Sequence, residues 1–287
     1  MFTTRQKSQD VLPSYIPEDR SRTLAMEPAL KQQARHTLSL GLILPWLYVS
    51  LLIGAEWLGS SLSPTAGFLV QVLFFVLLLG RSYFVTDAER GFHYALAVVT
   101  FTRLLPAMLP GLNLNESTRS FIAYGLLIVL TISTTRFLGY KLFTKPRLVH
   151  FPLFLLLLVL SGGFGYLGYL LLRPIPLVEV LEPASLIAPI LNVTVAGLTE
   201  ELLFRGLLLV AAVRFLGFRQ GVILATLLSA SFYLGMGSWL FVGLMVLVGL
   251  LFSYFTLRTL STLGVIFVHA VLNIVLFIVL PLLTATP

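Results

Sequence analysis

The chain has 287 residues, of which 57% are hydrophobic and 11% charged, with a net charge of +7 and a mean hydropathy of +0.96. A soluble protein this apolar could not cover its own surface, so composition selects an all-α, polytopic integral membrane helix bundle. The absence of cysteine excludes disulfides, thiolate metal sites and a cysteine nucleophile. The basic excess falls in loops between apolar runs, which argues for contact with membrane lipids and against nucleic acid as a partner.

In chain order, residues 1–36 mix Lys and Arg with Asp and Glu and include Pro13, Pro17 and Pro28. They read as a polar cytoplasmic tail, too polar and too long ahead of the first apolar run for a cleavable signal. Apolar runs follow at 38–58, 64–85, 92–112, 119–139, 150–172, 184–213, 220–236, 239–257 and 262–283. Most match the ~20 residues a bilayer crossing needs, which predicts about nine transmembrane helices. They divide into N-terminal helices over 37–183 and a C-terminal core over 184–283.

Several positions along these runs carry expectations. Glu56 closes the first run and is expected to be wet. The 92–112 run is interrupted by Arg103, Pro106 and Pro110, so it reads as a kinked or re-entrant segment, with Arg103 snorkelling toward the interface. His36, His93 and His150 sit at run edges, where interfacial placement is the ordinary reading. Ser161-Gly-Gly-Phe-Gly165-Tyr-Leu-Gly168 places small residues on one face, a packing surface for another helix. The 184–213 run exceeds one crossing, so it must tilt, break or begin outside the hydrocarbon. With the tail inside, fifteen of the 19 Lys and Arg residues fall on the inner side and two, Arg119 and Arg173, on the outer side. That asymmetry predicts an integral, multi-pass protein with its N-terminus on the cytoplasmic side.

The chemistry concentrates in two short patterns. Glu200-Glu201-x-x-x-Arg205 puts three full charges into an apolar run, where each costs about 2.5–3.5 kcal/mol on insertion scales. Glu201 and Arg205 are four apart with Glu first, the favoured order for an ion pair on one helix face. Glu200 points about 100° away and lacks a local partner. Further on, His269-x-x-x-Asn273 projects an imidazole and a carboxamide from one face. A histidine can act as base, ligand or donor, and an amide can donate to a developing oxyanion. Glu200, His269 and Asn273 are therefore expected to share one buried pocket, with Glu200 and His269 within a bridging water of each other, about 5–6 Å.

These two patterns resemble the first and last signatures of the CAAX-protease and bacteriocin-processing (Abi-type) family, polytopic intramembrane endopeptidases of the glutamate type. The resemblance covers 184–283. It implies that Glu200 activates the attacking water, that Arg205 supports the Glu200–Glu201 pair, and that His269 and Asn273 polarise the scissile carbonyl. It also implies a membrane-anchored peptide or protein as substrate. The family is sometimes described as metal-dependent; no cofactor is assigned here. One motif departs. Where the family has Phe-x-x-x-His, this chain reads Phe232-Tyr233-Leu-Gly-Met236-Gly237, and it has no histidine between Gly206 and His269. Met and Gly neither accept a proton nor hold zinc, so the family's two-histidine site is not assembled; Tyr233 and Ser238 are the nearby hydrogen-bonding groups. Two readings follow: an intramembrane endopeptidase, impaired by the missing histidine, toward which the balance falls, and a non-catalytic member that binds a membrane partner.

Overall fold

The structure, a computed structural model, describes residues 40–109, 115–142, 150–177 and 182–285. The polar tail at 1–36 and Pro110 lie outside the described residues. The chain divides into two units, residues 1–47 and 48–287. In the first, Leu40–Leu47 open the helix α1 (Leu40–Ser61). The second holds everything that follows.

Every regular element among the described residues is helical. Helices α2 (Pro64–Ser82), α3 (Asp87–Met108), α4 (Glu116–Phe137) and α5 (Phe151–Leu172) follow α1. Next come α6 (Pro183–Glu201), a π-helical stretch over Leu202–Leu208, α7 (Leu209–Leu216) and α8 (Phe218–Ser231). A 3₁₀ turn (Leu234–Met236) leads to α9 (Trp239–Thr259), then α10 (Leu263–Ile274), a second π stretch (Val275–Val279) and α11 (Leu280–Ala285). Each apolar run of the sequence thus contributes helix.

Six stretches among the described residues are long and apolar enough to cross a membrane: Ile43–Ser61, Pro64–Ser82, Glu116–Phe137, Phe151–Leu172, Trp239–Thr259 and Leu263–Thr284. Only 22% to 44% of each is buried in the protein, so apolar side chains such as Leu73, Val129 and Val159 face outward, as lipid-facing helices require. The molecule is a polytopic membrane helix bundle. Helix α3, which carries Asp87, Glu89, Arg90 and Arg103, is not among these six. It is nonetheless buried over most of its length, from Gly91 to Leu105, and packs against α2, α4, α7 and the first π stretch. A helix covered by protein on several sides can carry polar groups that lipid would not tolerate.

The chain of α3 stays helical through Arg103 and Pro106, and three expectations are corrected around it. His93 is buried, at 1% exposure, with Nδ1 against the Glu89 carbonyl at 2.7 Å rather than at an interface. Arg103 does not snorkel: its Nε donates to Glu56 Oε1 at 2.9 Å, and Glu56, expected to be wet, has a side chain only 13% exposed. A guanidinium and a carboxylate in one bundle neutralise each other, which competes successfully with separate excursions to water.

The small-residue face of α5 does pack as expected. Ser161, Gly165 and Gly168 are buried, and a β-carbon on Gly165 would meet Val275 and the Leu272 carbonyl. One on Gly168 would meet Phe241 and Leu276. Helix α10 is thereby drawn against α5 on one side and against α6 on another. The long 184–213 run stays helical, its α pattern interrupted by the π stretch Leu202–Leu208. Gly217, with φ of 82°, then turns the chain so that α8 returns along α7, where Gly221 leaves room for the Val213 backbone. The second π stretch has a visible cause. Pro281 has no N–H to give the Phe277 carbonyl and its ring crowds that carbonyl, so the preceding turn widens.

Candidate active site

The site forms where α6 meets α10. Gly197 sets the distance between them: a β-carbon there would lie 3.2 Å from Asn273 Nδ2 and 3.5 Å from the His269 ring. Two consecutive carboxylates sit at the C-terminal end of α6, on the threshold of the π stretch. A π turn shifts the helical register and is found often at functional sites.

Glu201 is fully buried, at 0% exposure. Its Oε1 accepts from Arg205 Nη1 at 3.0 Å and from His269 Nδ1 at 2.6 Å. Arg205 is itself buried; its Nη2 lies 3.5 Å from Ser229 Oγ, and its guanidinium stands 5.6 Å from the Phe252 ring centroid. Because Glu201 is already paired with Arg205, it is the acceptor and His269 Nδ1 carries the hydrogen. His269 Nε2 is then the reactive nitrogen. It is buried and has no hydrogen-bond partner among the described residues, as has Glu201 Oε2. A buried polar atom left in this state is a place for a water or for a reacting group.

Glu200 is placed differently. It is half-buried, and its Oε2 accepts from the Tyr233 hydroxyl at 2.6 Å. Asn273 is buried and donates one Nδ2 hydrogen to the Val193 carbonyl at 3.2 Å, which leaves its second N–H. Glu201, His269 and Asn273 are thus gathered where α6 meets α10, and the pairing differs from expectation. His269 is joined to Glu201, and the partner of Glu200 is Tyr233. The reason is local: Glu201 faces inward with Arg205 and attracts the second cationic or donor ring, whereas Glu200, about 100° around the helix, faces the turn after α8. Ser238 is spent elsewhere, its Oγ accepting from Phe241 N at 3.3 Å as the cap of α9.

The family's middle histidine would fall at Met236 or Gly237. Met236 lies in the 3₁₀ turn and is 47% exposed. A catalytic zinc takes three protein ligands. Here His269 spends Nδ1 on Glu201, and Glu201 spends Oε1 on two donors. Among the described residues no three His, Cys, Asp or Glu side chains are grouped to hold a metal ion. The donor set does not fit a catalytic zinc.

Gly206, next to Arg205, has a packing role: a β-carbon there would collide with Leu142, whose carbonyl accepts from Thr262 Oγ1 at 2.7 Å. Sequence reasoning missed the groups that brace the site from the N-terminal helices. Gln71 Nε2 and Arg103 Nε both donate to Glu56 Oε1, at 2.7 and 2.9 Å, and Arg103 Nη2 donates to the Phe232 carbonyl at 3.0 Å. The signal was available: three polar side chains inside apolar runs need partners, and the nearest in kind are one another.

Fold and site together define a polytopic membrane bundle with a carboxylate, histidine and amide set at a helix junction. Residues 182–275 match the family described as Type II CAAX prenyl endopeptidase Rce1-like, so this stretch of the chain is similar to the CAAX-protease class. Searches of curated proteins and of solved structures find no match.

Proposed function

We propose that the protein is an intramembrane endopeptidase that hydrolyses a membrane-anchored peptide or protein, with Glu200 as general base. One observation carries this reading: two adjacent carboxylates have been given opposite environments. Glu201 is buried and neutralised by Arg205 and His269, whereas Glu200 is half-buried and held by one hydroxyl. Environments that separate two neighbouring carboxylates in this way assign different roles to them. Glu201 orients His269, as a carboxylate orients imidazole in other hydrolytic sites. Glu200 accepts the proton of a water whose oxygen attacks the scissile carbonyl. The tetrahedral oxyanion is met by the second Asn273 N–H and by His269 Nε2–H when the ring is protonated. The proton held by Glu200 then passes to the leaving amine, which closes the cycle. The matched family's description adds a prenylated substrate, an apolar anchor that would keep the peptide in the bilayer.

The test is cleavage of a membrane-anchored peptide by purified protein in vesicles. Glu200→Gln should abolish turnover, while Met236→Ala should leave it unchanged. Equal cleavage by the wild type and Glu200→Gln would refute Glu200 as the base. The exposed Met236 at the middle-motif position favours a second reading, a member that holds such a substrate without cutting it. Cleavage that arises only in Met236→His or Gly237→His would establish that reading.

A further inference from the structure

We propose that Arg103, on α3, is a positioning residue for Glu200, acting through the Phe232–Tyr233 turn. The endopeptidase reading gives this its purpose, but the infrared readout does not depend on it. Arg103 lies far outside the matched 182–275 stretch and yet ends at the site's edge. Its Nε is fixed by Glu56 at 2.9 Å, and Glu56 is fixed in turn by Gln71 at 2.7 Å. Three helices, α1, α2 and α3, thus contribute one side chain each to a polar chain that emerges at the end of α8.

There Arg103 makes two contacts with one residue. Nη2 donates to the Phe232 carbonyl at 3.0 Å, and the guanidinium lies 3.7 Å over the Phe232 ring. Phe232 caps α8, so its carbonyl belongs to the end of a helix, where a cation is favoured both by the unpaired acceptors and by the helix dipole. The ring's other neighbour is Phe204 of the first π stretch, edge-on at 4.8 Å. The next residue is Tyr233, whose hydroxyl donates to Glu200 Oε2 at 2.6 Å. One peptide link separates the clamped carbonyl from the residue that holds the carboxylate. Tyr233 lies three residues before Met236, in a short turn held by its own backbone bonds, Tyr233 N to the Ala230 carbonyl at 3.1 Å and Met236 N to the Tyr233 carbonyl at 3.0 Å, and by its ring contact with Phe241 at 5.5 Å. Those bonds fix the turn on the side of α8 and α9, and Arg103 fixes Phe232 from α3, so the two together hold the hydroxyl on Glu200.

A purely structural pair would hold helices together without reporting on Glu200. Difference infrared spectroscopy of the full chain separates the two. The Glu200 carboxyl band is identified by its loss in Glu200→Gln. Tyr233→Phe, which removes the bond, should shift that band. Arg103→Met should shift it in the same sense, and Arg103→Lys, which keeps a donor for Phe232, should restore it in part. Should Arg103→Met fold poorly because Glu56 is left unpaired, Arg103→Met with Glu56→Gln removes both charges and must give the same shift. A folded Arg103→Met protein, or the double variant, with the Glu200 band at its wild-type position would overturn the proposal. So would a band that Tyr233→Phe fails to move. The second readout is turnover, where lost positioning lowers kcat by about a hundredfold with KM unchanged. A wild-type protein whose band responds as described but which never cleaves refutes the endopeptidase reading and leaves the clamp intact.

Discussion

Glu201 has two partners where its helix offered one. Arg205 was legible from the i,i+4 spacing, and the structure places the pair at 3.0 Å with both side chains buried. His269, 68 residues on, was not, because no periodicity says which of two adjacent carboxylates a distant ring will meet. The sequence favoured Glu200 on the ground that it lacked a local partner. Burial decided otherwise: the fully enclosed carboxylate has the greater need of donors, and it took both. Removing one partner of such a group costs about 3–5 kcal/mol, since the other charge stays buried. Arg205→Ala should therefore lower the apparent melting temperature in detergent sharply. Glu201→Gln with Arg205→Met should recover much of the loss, because a carboxamide at this position keeps an oxygen that accepts from His269 Nδ1. Equal thermal stability of Arg205→Ala and the wild type would contradict the burial of this cluster.

At the scale of elements, hydrophobic length located the helices well, and small residues located one packing face. Neither located the π stretches. Pro281 hinted at the second, but the first, directly after Glu201, has no comparable marker among Leu202–Leu208, where an α-helix would bury the same leucines. A polar residue in an apolar run, taken singly, points to water or to the interface; Glu56 and Arg103 instead satisfy each other at 2.9 Å. The α5 face yields its own test. Gly165 has Val275 and the Leu272 carbonyl where a β-carbon would stand, so Gly165→Leu forces α5 away from α10. Overpacking of this sort costs about 1–3 kcal/mol. Gly163, with open space around it, should accept leucine with little change. A melting comparison of the two variants checks the assignment, and equal losses would mean that the face does not pack as described.

For the whole molecule, the charge asymmetry predicts an orientation that the helices can report. Asn115 and Lys141 flank α4 at opposite ends, and both are exposed. In this cysteine-free chain, Asn115→Cys should label with an impermeant thiol reagent from outside intact cells, and Lys141→Cys only after permeabilisation; the reverse pattern would invert the predicted topology. The order of synthesis adds a demand that the finished bundle conceals. Glu201 leaves the ribosome 68 residues before His269, so for that interval it has only Arg205, four residues behind it. The nascent helix carries its own counter-ion into the translocon and exchanges part of that pairing for the histidine once α10 arrives. Arg205→Ala is therefore expected to be lost faster than the wild type in a pulse–chase experiment, because its Glu201 has no local counter-ion until His269 is made.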